Sequence, residues 1–549
     1  MTTRMQIGHW ILAFALVALP FAATYALYYP DERHYTDGAL MMLKQGNWLV
    51  PHTATGAPRF EKPPLTYWLV AASYAMFGTG VLTSRLPFLL ASCGALWLTY
   101  RLTRRLTGKT EIALLAAVIL LSHPQFFLCS IRSIPDALLV FFITLSAYGF
   151  LRLIALEEFT VGAFWMAYGG AAGAALSKGL PGAGIILFAW AFAFWQKRDW
   201  GAVKKIIHGP SLAVAVVLVA GWFGYIFWYR GARALNTFFV DQVTGNIHGH
   251  LWSPIERVLL FALILIFNFL PWSATAGEWL VRKHGKITGD VPPLARNFLL
   301  ACVALMIACF AFGEVISLRY LLPGAPLLAV LLADCLQSTE GEPLFFSLRR
   351  ILKVVLVVLV LAVATAYFID YQWPMATILL ALPCGLILIG IAILGSGARW
   401  RKAVTAREAL GLGILTGWLI FLTAAMPILL PDRAQQIAKT LRQSQTDPSD
   451  PVLLIGDVKL ASRVRVLLGK GWTVVQTNTL VAVAAMDYTR VLITEKEASE
   501  FSHHGWAVQT AAISFKMPPR GELWEALKSN RLRETLARHA QKICLATHE

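Results

Sequence analysis

Long apolar runs almost without charged residues are the feature that most constrains this fold. The runs at residues 112–121, 137–150 and 351–368 contain at most one charged side chain each. Over all 549 residues, 57% are hydrophobic and 14% are charged, whereas a soluble domain carries about 25% charged residues. A soluble protein could not bury so much apolar surface, but helices that cross a bilayer require it. The sequence therefore predicts a polytopic α-helical membrane protein.

The apolar runs and the basic clusters between them predict a topology. We expect about 13 transmembrane helices from a criterion of roughly 20 apolar residues per span. The first span, at residues 11–28, is expected to be retained rather than cleaved as a signal peptide. With the N-terminus in the cytoplasm, every basic cluster falls on the cytoplasmic side, and the odd span count places the tail after Pro431 outside. The clusters are Arg101/Arg104/Arg105/Lys109, Lys197/Arg198/Lys204/Lys205, Arg282/Lys283/Lys286, Arg349/Arg350/Lys353 and Arg399/Arg401/Lys402/Arg407.

The net charge and the cysteines exclude two other classes of protein. The charge of +17 is gathered in those clusters without interleaved aromatic residues, so topology explains it better than nucleic-acid binding does. No CxxC pair occurs, and most of the cysteines lie in or beside apolar runs. We therefore expect neither a disulfide framework nor a thiolate metal site. The seven cysteines are Cys93, Cys129, Cys302, Cys309, Cys335, Cys384 and Cys544.

Two regions are predicted, a transmembrane catalytic domain at residues 1–430 and a small α/β domain at residues 447–549. The first region carries two long outward loops, at 29–85 and 231–257. Within the first loop, helical spacing predicts an interfacial helix near Tyr35–Leu43 and another at 65–76. In the tail we expect strands at 452–455, 472–475 and 491–494, with helices at 461–468, 480–486, 495–503 and 522–539.

Two acidic motifs in the first outward loop are candidates for chemistry. Asp31 and Glu32 directly follow the first span, where a carboxylate at the mouth of an outward cavity could act as a general base. The alternative is a pair of solvated loop acids. In Glu61-Lys62-Pro63-Pro64, Lys62 could supply a point charge for a phosphate, with the prolines fixing its angle. The alternative is an interfacial kink whose charges reach toward water.

Other polar residues fall on the same outward side in this topology. One face thus gathers acids and phosphate-suited cations, while the opposite face carries only basic clusters, which favours an outward-facing site. His248 and His250 could bind a divalent metal together with Glu61, although a pair of loop histidines is more often solvated. The outward residues are Asp136, Lys178, Asp241, His248, His250, Arg257, Arg319 and Tyr320.

These motifs together resemble a known family. They are Pro30-Asp31-Glu32, the run at residues 60–69 that contains Glu-Lys-Pro-Pro, Ser84-Arg85-Leu86-Pro87, the segment at 133–139, Ser177-Lys178-Gly179, and Arg319-Tyr320-Leu321-Leu322-Pro323. The order and spacing are similar to the bacterial lipid A aminoarabinose transferases, which are membrane glycosyltransferases of the GT-C type related to the protein O-mannosyltransferases. The resemblance covers about residues 1–330 and does not specify the sugar or the acceptor.

The resemblance implies a multi-pass protein of the bacterial inner membrane with a periplasmic active site. It implies an undecaprenyl-phosphate-linked donor, inversion at the sugar C1, and lipid A or a related envelope glycolipid as acceptor. Asp31 would be the catalytic acid–base residue, and Glu61 and Lys62 would lie at the carrier phosphate beside a possible divalent metal. Asp136, Lys178 and Arg319 would line the same cavity. The family's metal-ligating histidine is missing at its usual place, so His248 or His250 would have to substitute.

Three alternatives stay open at this stage. The enzyme could use a protein acceptor, as an O-mannosyltransferase does. The chain could instead be a transporter or flippase for lipid-linked sugars, although no internal repeat is visible. It could also be a structural anchor for the tail domain, which would not need placed charges in its first loop.

Overall fold

The structure, a computed structural model, describes most of the first 340 residues and much of the tail. The described ranges are 6–24, 29–232, 254–270, 289–311, 317–337 and 433–444, then 450–515 and 540–548 with short gaps, and a few further positions between them. The helices of the first part are α1 Ile7–Ala22, α2 Glu32–Gln45, α3 Leu65–Phe77, α4 Val81–Thr107, α5 Thr110–Leu121, α6 Pro124–Ser130, α7 Pro135–Ile154, α8 Val161–Lys178, α9 Leu180–Lys197, α10 Trp200–Ile206, α11 Gly209–Arg230, α12 Pro254–Asn268, α13 Pro293–Ala311 and α14 Ala325–Gln337.

Four of these helices are long and apolar enough to cross a membrane, namely α4, α7, α11 and α13. The pair α5 and α6, bent by 71°, could form a fifth span, and α1 and α14 are apolar but shorter. These counts concern the described ranges alone. The predicted spans within residues 338–432 lie outside them, so the total of about 13 stays a prediction.

Close packing of α7 on α8 sets the register between these two helices. A Cβ atom on Gly149 would lie 2.2 Å from the backbone nitrogen of Ala167, and one on Gly170 would lie 2.6 Å from that of Ser146. Only glycine permits such an approach, as is common between helices in membranes. The two helices are joined by residues 155–160 and pack antiparallel, so the first turn of α7 lies beside the last turn of α8. That places Asp136 next to Lys178.

The two ends of the helical bundle carry different polar residues. At one end, Arg105 pairs with Glu158, and Lys109 pairs with Asp290 at 2.8 Å. These residues belong to the ends and connections of helices that carry the predicted cytoplasmic clusters. The first turn of α7 and the last turn of α8 lie at the other end, which is where the candidate site is found.

The tail contains a mixed five-stranded sheet with helices packed on it. Its elements are α15 Arg433–Gln443, β1 Val452–Ile455, α16 Val458–Leu468, β2 Val474–Thr477, β3 Arg490–Thr494, α17 Glu495–His503, β4 Ala507–Phe515 and β5 Ala540–Thr547. The strand order is β2-β1-β3-β5-β4, with β1 parallel to β2 and β3. Strand β5 runs antiparallel to both β3 and β4.

The tail matches the sequence expectations in part. Strand β1 and helix α17 have the predicted bounds, whereas β2 begins two residues after its predicted start. The expected helix at 480–486 and most of the one at 522–539 lie outside the described residues. Strands β4 and β5 were not predicted, so the parallel α/β alternation is only half of the observed sheet.

A polar contact ties the tail to α2. Arg465 of α16 donates to the Asp37 carboxylate through Nη2 at 2.8 Å and Nε at 3.1 Å. The Ser462 hydroxyl lies 3.1 Å from the same carboxylate. All three side chains are largely buried, so the tail sheet lies at the end of the bundle that holds the start of α2.

Candidate active site

Asp31 and Glu32 are adjacent in sequence but lie in opposite environments. Asp31 is the N-cap of α2, and its side chain is 46% exposed. Glu32 is completely buried and receives two hydrogen bonds from Arg85, from Nε at 2.8 Å and from Nη2 at 2.9 Å. The backbone N–H groups of Ser133 and Tyr29 also donate to Glu32, at 3.0 and 2.8 Å. Only Asp31 of this pair is open to an approaching molecule.

A chain of ion pairs connects Asp31, through Arg319, to two further residues from distant parts of the sequence. Arg319 donates from Nη2 to Oδ2 of Asp31 at 3.0 Å and from Nη1 to Oδ2 of Asp136 at 3.3 Å. Lys178 donates from Nζ to the other Asp136 oxygen at 2.6 Å. The Asp136 side chain is only 2% exposed, so it pairs with both cations from the buried side of the cluster. We call Asp31, Asp136, Lys178 and Arg319 the ion-pair cluster.

Two tyrosine rings lie against the cations of the cluster. The Arg319 guanidinium carbon lies 4.4 Å from the Tyr29 ring centroid, and the Lys178 ammonium lies 5.5 Å from that of Tyr320. Such contacts stabilise a desolvated cation through the ring quadrupole. The sequence predicted Tyr320 as a site residue but not Tyr29, since a tyrosine at a membrane exit is also typical of an interfacial anchor.

Protonation equilibria at the cluster follow from burial and neighbouring charge. Burial opposes the charged form of Arg319, but the Asp136 and Asp31 carboxylates outweigh it and raise the pKa of the guanidinium. Burial lowers the pKa of Lys62, and the nearby Lys178 ammonium lowers it further. The two ammonium groups therefore repel each other. A phosphate bound near both would relieve this repulsion.

The remaining predicted site residues lie apart or outside the described ranges. Glu61 forms an ion pair with Arg59 at 2.5 Å. Arg257 is 3% exposed in the first turn of α12. Asp241, His248 and His250 lie outside the described residues, so the proposed Glu61–His metal site stays a prediction. Among the residues described, no three His, Cys, Asp or Glu side chains are grouped to hold a metal ion.

Known proteins share both sequence and fold with this chain. The family described as dolichyl-phosphate-mannose-protein mannosyltransferase matches residues 61–225. The undecaprenyl phosphate-alpha-4-amino-4-deoxy-L-arabinose arabinosyl transferase 1 of Pseudomonas fluorescens (strain Pf0-1) is 27% identical over 437 residues, covering 77% of this chain and 74% of that protein. The crystal structure of ArnT from Cupriavidus metallidurans bound to undecaprenyl phosphate superposes with a TM-score of 0.64 at 18% identity, covering 92% of this chain and 96% of that one. This chain is thus similar to ArnT in both sequence and fold.

These matches cover only some of the site residues and only part of some relatives. The mannosyltransferase family match includes Lys62, Asp136 and Lys178, while Asp31 and Arg319 lie outside it. A protein of Aquifex aeolicus (strain VF5) is 29% identical over 340 residues, and the chain spans 64% of that relative's length. The structural likeness, at 18% identity, shows a shared fold alone. The geometry of the ion-pair cluster must therefore support the chemistry by itself.

Proposed function

We propose that this protein transfers a sugar from an undecaprenyl or other polyprenyl phosphate carrier to an envelope acceptor. The acceptor is lipid A or a related glycolipid, the reaction takes place at the periplasmic face of the inner membrane, and the sugar C1 is inverted. The observation that carries the proposal is the ion-pair cluster, in which the open carboxylate of Asp31 pairs with Arg319 and the buried Asp136 pairs with both Arg319 and Lys178. The name of the Pseudomonas relative, which includes undecaprenyl phosphate, supports the choice of donor.

The cations suit the leaving group of this reaction. When the bond between C1 and the carrier phosphate breaks, its electron pair stays on a phosphate oxygen, and the developing charge needs electrostatic stabilisation more than a proton. Arg319 offers a planar guanidinium for two phosphate oxygens, and Lys62 and Lys178 offer point charges. Asp136, buried beneath them, keeps Lys178 and Arg319 in place when the phosphate departs.

Asp31 suits the acceptor side of the reaction. An acceptor hydroxyl that attacks C1 from the face opposite the phosphate loses its proton, and Asp31 is the open carboxylate placed to accept it. A single displacement of this kind forms one bond and breaks one bond at C1. It therefore inverts the configuration without a covalent sugar–enzyme intermediate.

Glu32 is a positioning residue in this scheme rather than a catalytic acid. Its carboxylate joins the start of α2 to Arg85 of α4 and to the backbone of Ser133, just before α7. Because Asp31 precedes Glu32 directly, this buried contact fixes the position from which Asp31 meets Arg319. The proposal thus assigns the two adjacent acids different roles.

The orientation in the membrane also belongs to the proposal. The paired basic residues Arg105 and Lys109 lie at the end of the bundle away from the cluster, and basic clusters favour the cytoplasmic side. The cluster and the tail would then both face the periplasm. There the donor must arrive attached to lipid, since nucleotide sugars are cytoplasmic.

The experiment that tests the proposal compares envelope lipids from cells with and without this chain by mass spectrometry. We expect a glycolipid that carries one extra sugar only when the chain is present, and its loss in the Asp31→Asn variant. A protein acceptor is the second candidate, because the matched family is described as protein mannosyltransferases. The added mass would then appear on envelope proteins, whereas an intact lipid-linked sugar moved across the membrane would indicate a flippase.

A further inference from the structure

A cavity of about 630 Å³ lies between α2, the loop at residues 53–59 and the tail sheet. No residue of the ion-pair cluster lines it, so it is separate from the site described above. Its α2 wall includes Arg33, Asp37, Met41 and Lys44, which share one helix face at spacings of three and four residues. The cavity therefore follows the length of α2 from a point two residues beyond Asp31.

The cavity has two cations for which no acidic partner exists among the described residues. Arg33 and Lys44 both line it, and neither forms an ion pair within the part of the chain that the structure describes. The Arg33 Nε–H is buried and has no hydrogen-bond acceptor among those residues. A buried donor of this kind costs free energy unless a bound group accepts from it.

Two further arginines add to the positive charge of this cavity. Arg59 and Arg465 line it, and each is paired with one carboxylate, on Glu61 and Asp37 respectively. Burial, together with the Arg59 and Arg33 guanidinium groups, lowers the pKa of His34 in the same wall to about 4. At neutral pH the imidazole is therefore uncharged in a cationic environment, which suits an anionic ligand.

The loop and tail residues that line the cavity have the chemistry of a saccharide site. Trp472 contributes an indole ring, and Thr53, Thr55 and Gln476 contribute hydroxyl and amide groups. An aromatic face covers the apolar face of a sugar ring, and hydroxyl and amide groups bond its hydroxyls. A simple phosphate ion could accept from the hydroxyl and amide groups but would gain nothing from the indole face.

We propose that this cavity binds the anionic glycan head group of the acceptor, with Arg33 and Lys44 pairing with its phosphate or carboxylate groups. The inference rests on the proposed function and extends it to the acceptor. Asp31 and Lys44 lie about 20 Å apart along the α2 axis, so a head group of two or more sugars held along α2 reaches the base at one end. His34 lines the cavity, and the charges of Asp31 and Lys62 at the candidate active site also act on its imidazole.

Isothermal titration of the full chain in neutral nanodiscs, without donor, tests the cavity directly. The probe is a deacylated, bisphosphorylated glucosamine disaccharide, compared with its dephosphorylated form, inorganic phosphate and a Ser/Thr-rich peptide. We expect Arg33→Gln and Lys44→Ala each to weaken disaccharide binding about tenfold, as loss of one charge-assisted hydrogen bond predicts. Lys205→Ala, which removes an exposed lysine of α10 at the other end of the bundle, should bind as the wild type does.

The Trp472 variants and the comparison probes distinguish a glycan ligand from a phosphate ion or a peptide. Trp472→Ala should weaken the disaccharide but not inorganic phosphate, and Trp472→Phe should restore part of the affinity. Absence of binding, unchanged binding in both cation variants, equal affinity for inorganic phosphate, or preference for the peptide would each overturn the inference. Because no donor is present, this titration measures binding in the cavity independently of the transfer reaction, so each of the two proposals can fail without the other. Disaccharide binding by a protein that consumes no polyprenyl-phosphate sugar would reject the transfer reaction and leave the cavity assignment standing.

Discussion

Isosteric neutralisation of the adjacent acids should separate catalysis from folding. Asp31→Asn keeps the shape of the side chain but cannot accept a proton, so we expect kcat to fall about 10²–10⁴-fold. Its ion pair with Arg319 is open to solvent, and such pairs contribute about 0–1 kcal/mol to stability. The thermal unfolding midpoint should therefore stay near that of the wild type.

Glu32→Gln should show the opposite pattern. Both partners of the Glu32–Arg85 pair are 0% exposed, at a distance of 2.8 Å. Removal of one charge from a buried pair costs about 3–5 kcal/mol, because the other charge is left uncompensated. Gln retains one oxygen acceptor, so we expect the lower end of this range and a clearly reduced unfolding midpoint. The kcat of the folded fraction should change less than in Asp31→Asn.

The assay combines thermal unfolding of each purified variant in one detergent with turnover at saturating donor, normalised to folded protein. Ser92→Ala, at a buried position elsewhere in α4, is a matched control that removes a polar group without removing charge. The reasoning would be refuted if Glu32→Gln abolished turnover at unchanged stability while Asp31→Asn retained normal turnover. That result would exchange the roles of the two acids.

Three further predictions concern donor binding and topology. Lys62→Ala should raise KM for the lipid-linked donor more than it lowers kcat. Lys62→Arg should restore donor binding only poorly, because a planar guanidinium presents its charge differently from an ammonium. Steady-state kinetics with varied donor concentration measures both effects. The pKa of Lys62 is below the usual 10.5, so its charge is lost as pH rises through that lowered value, and donor affinity should decline at a lower pH than for an ordinary lysine. An alkaline limb that persists unchanged in Lys62→Arg would contradict this. A reporter fused after Glu549 should be active only outside the cytoplasm, and cytoplasmic activity would overturn the assigned orientation.

The sequence predicted much of the composition of the site but not the division of labour within it. Asp31, Asp136, Lys178 and Arg319 were grouped by the topology and by the family resemblance, and the structure joins them through ion pairs. The burial of Glu32 could not be predicted, since its partner Arg85 is 53 residues away. Adjacent residues at a helix start point in different directions, and only packing decides which one reaches solvent.

The tail shows where periodicity fails as a guide. Strand β1 is a short, fully apolar run, and such runs are readily predicted as buried strands. Strands β4 and β5 form an antiparallel pair with a register shift between Thr510 and Ala512. An irregularity of this kind interrupts the alternation of apolar and polar residues that marks a strand. The contact between Asp37 and Arg465 links residues 428 positions apart, which no local pattern can indicate.

The most direct test of the central claim is transfer by the purified full chain in nanodiscs. The protein is given a polyprenyl-phosphate-linked sugar together with lipid A, and mass spectrometry follows both lipids. The account predicts equal amounts of released polyprenyl phosphate and of acceptor carrying the sugar with inverted C1 configuration. Both should be lost in Asp31→Asn, while that variant still binds the donor. Near-normal turnover of Asp31→Asn, or product with retained configuration, would contradict the mechanism proposed for the ion-pair cluster.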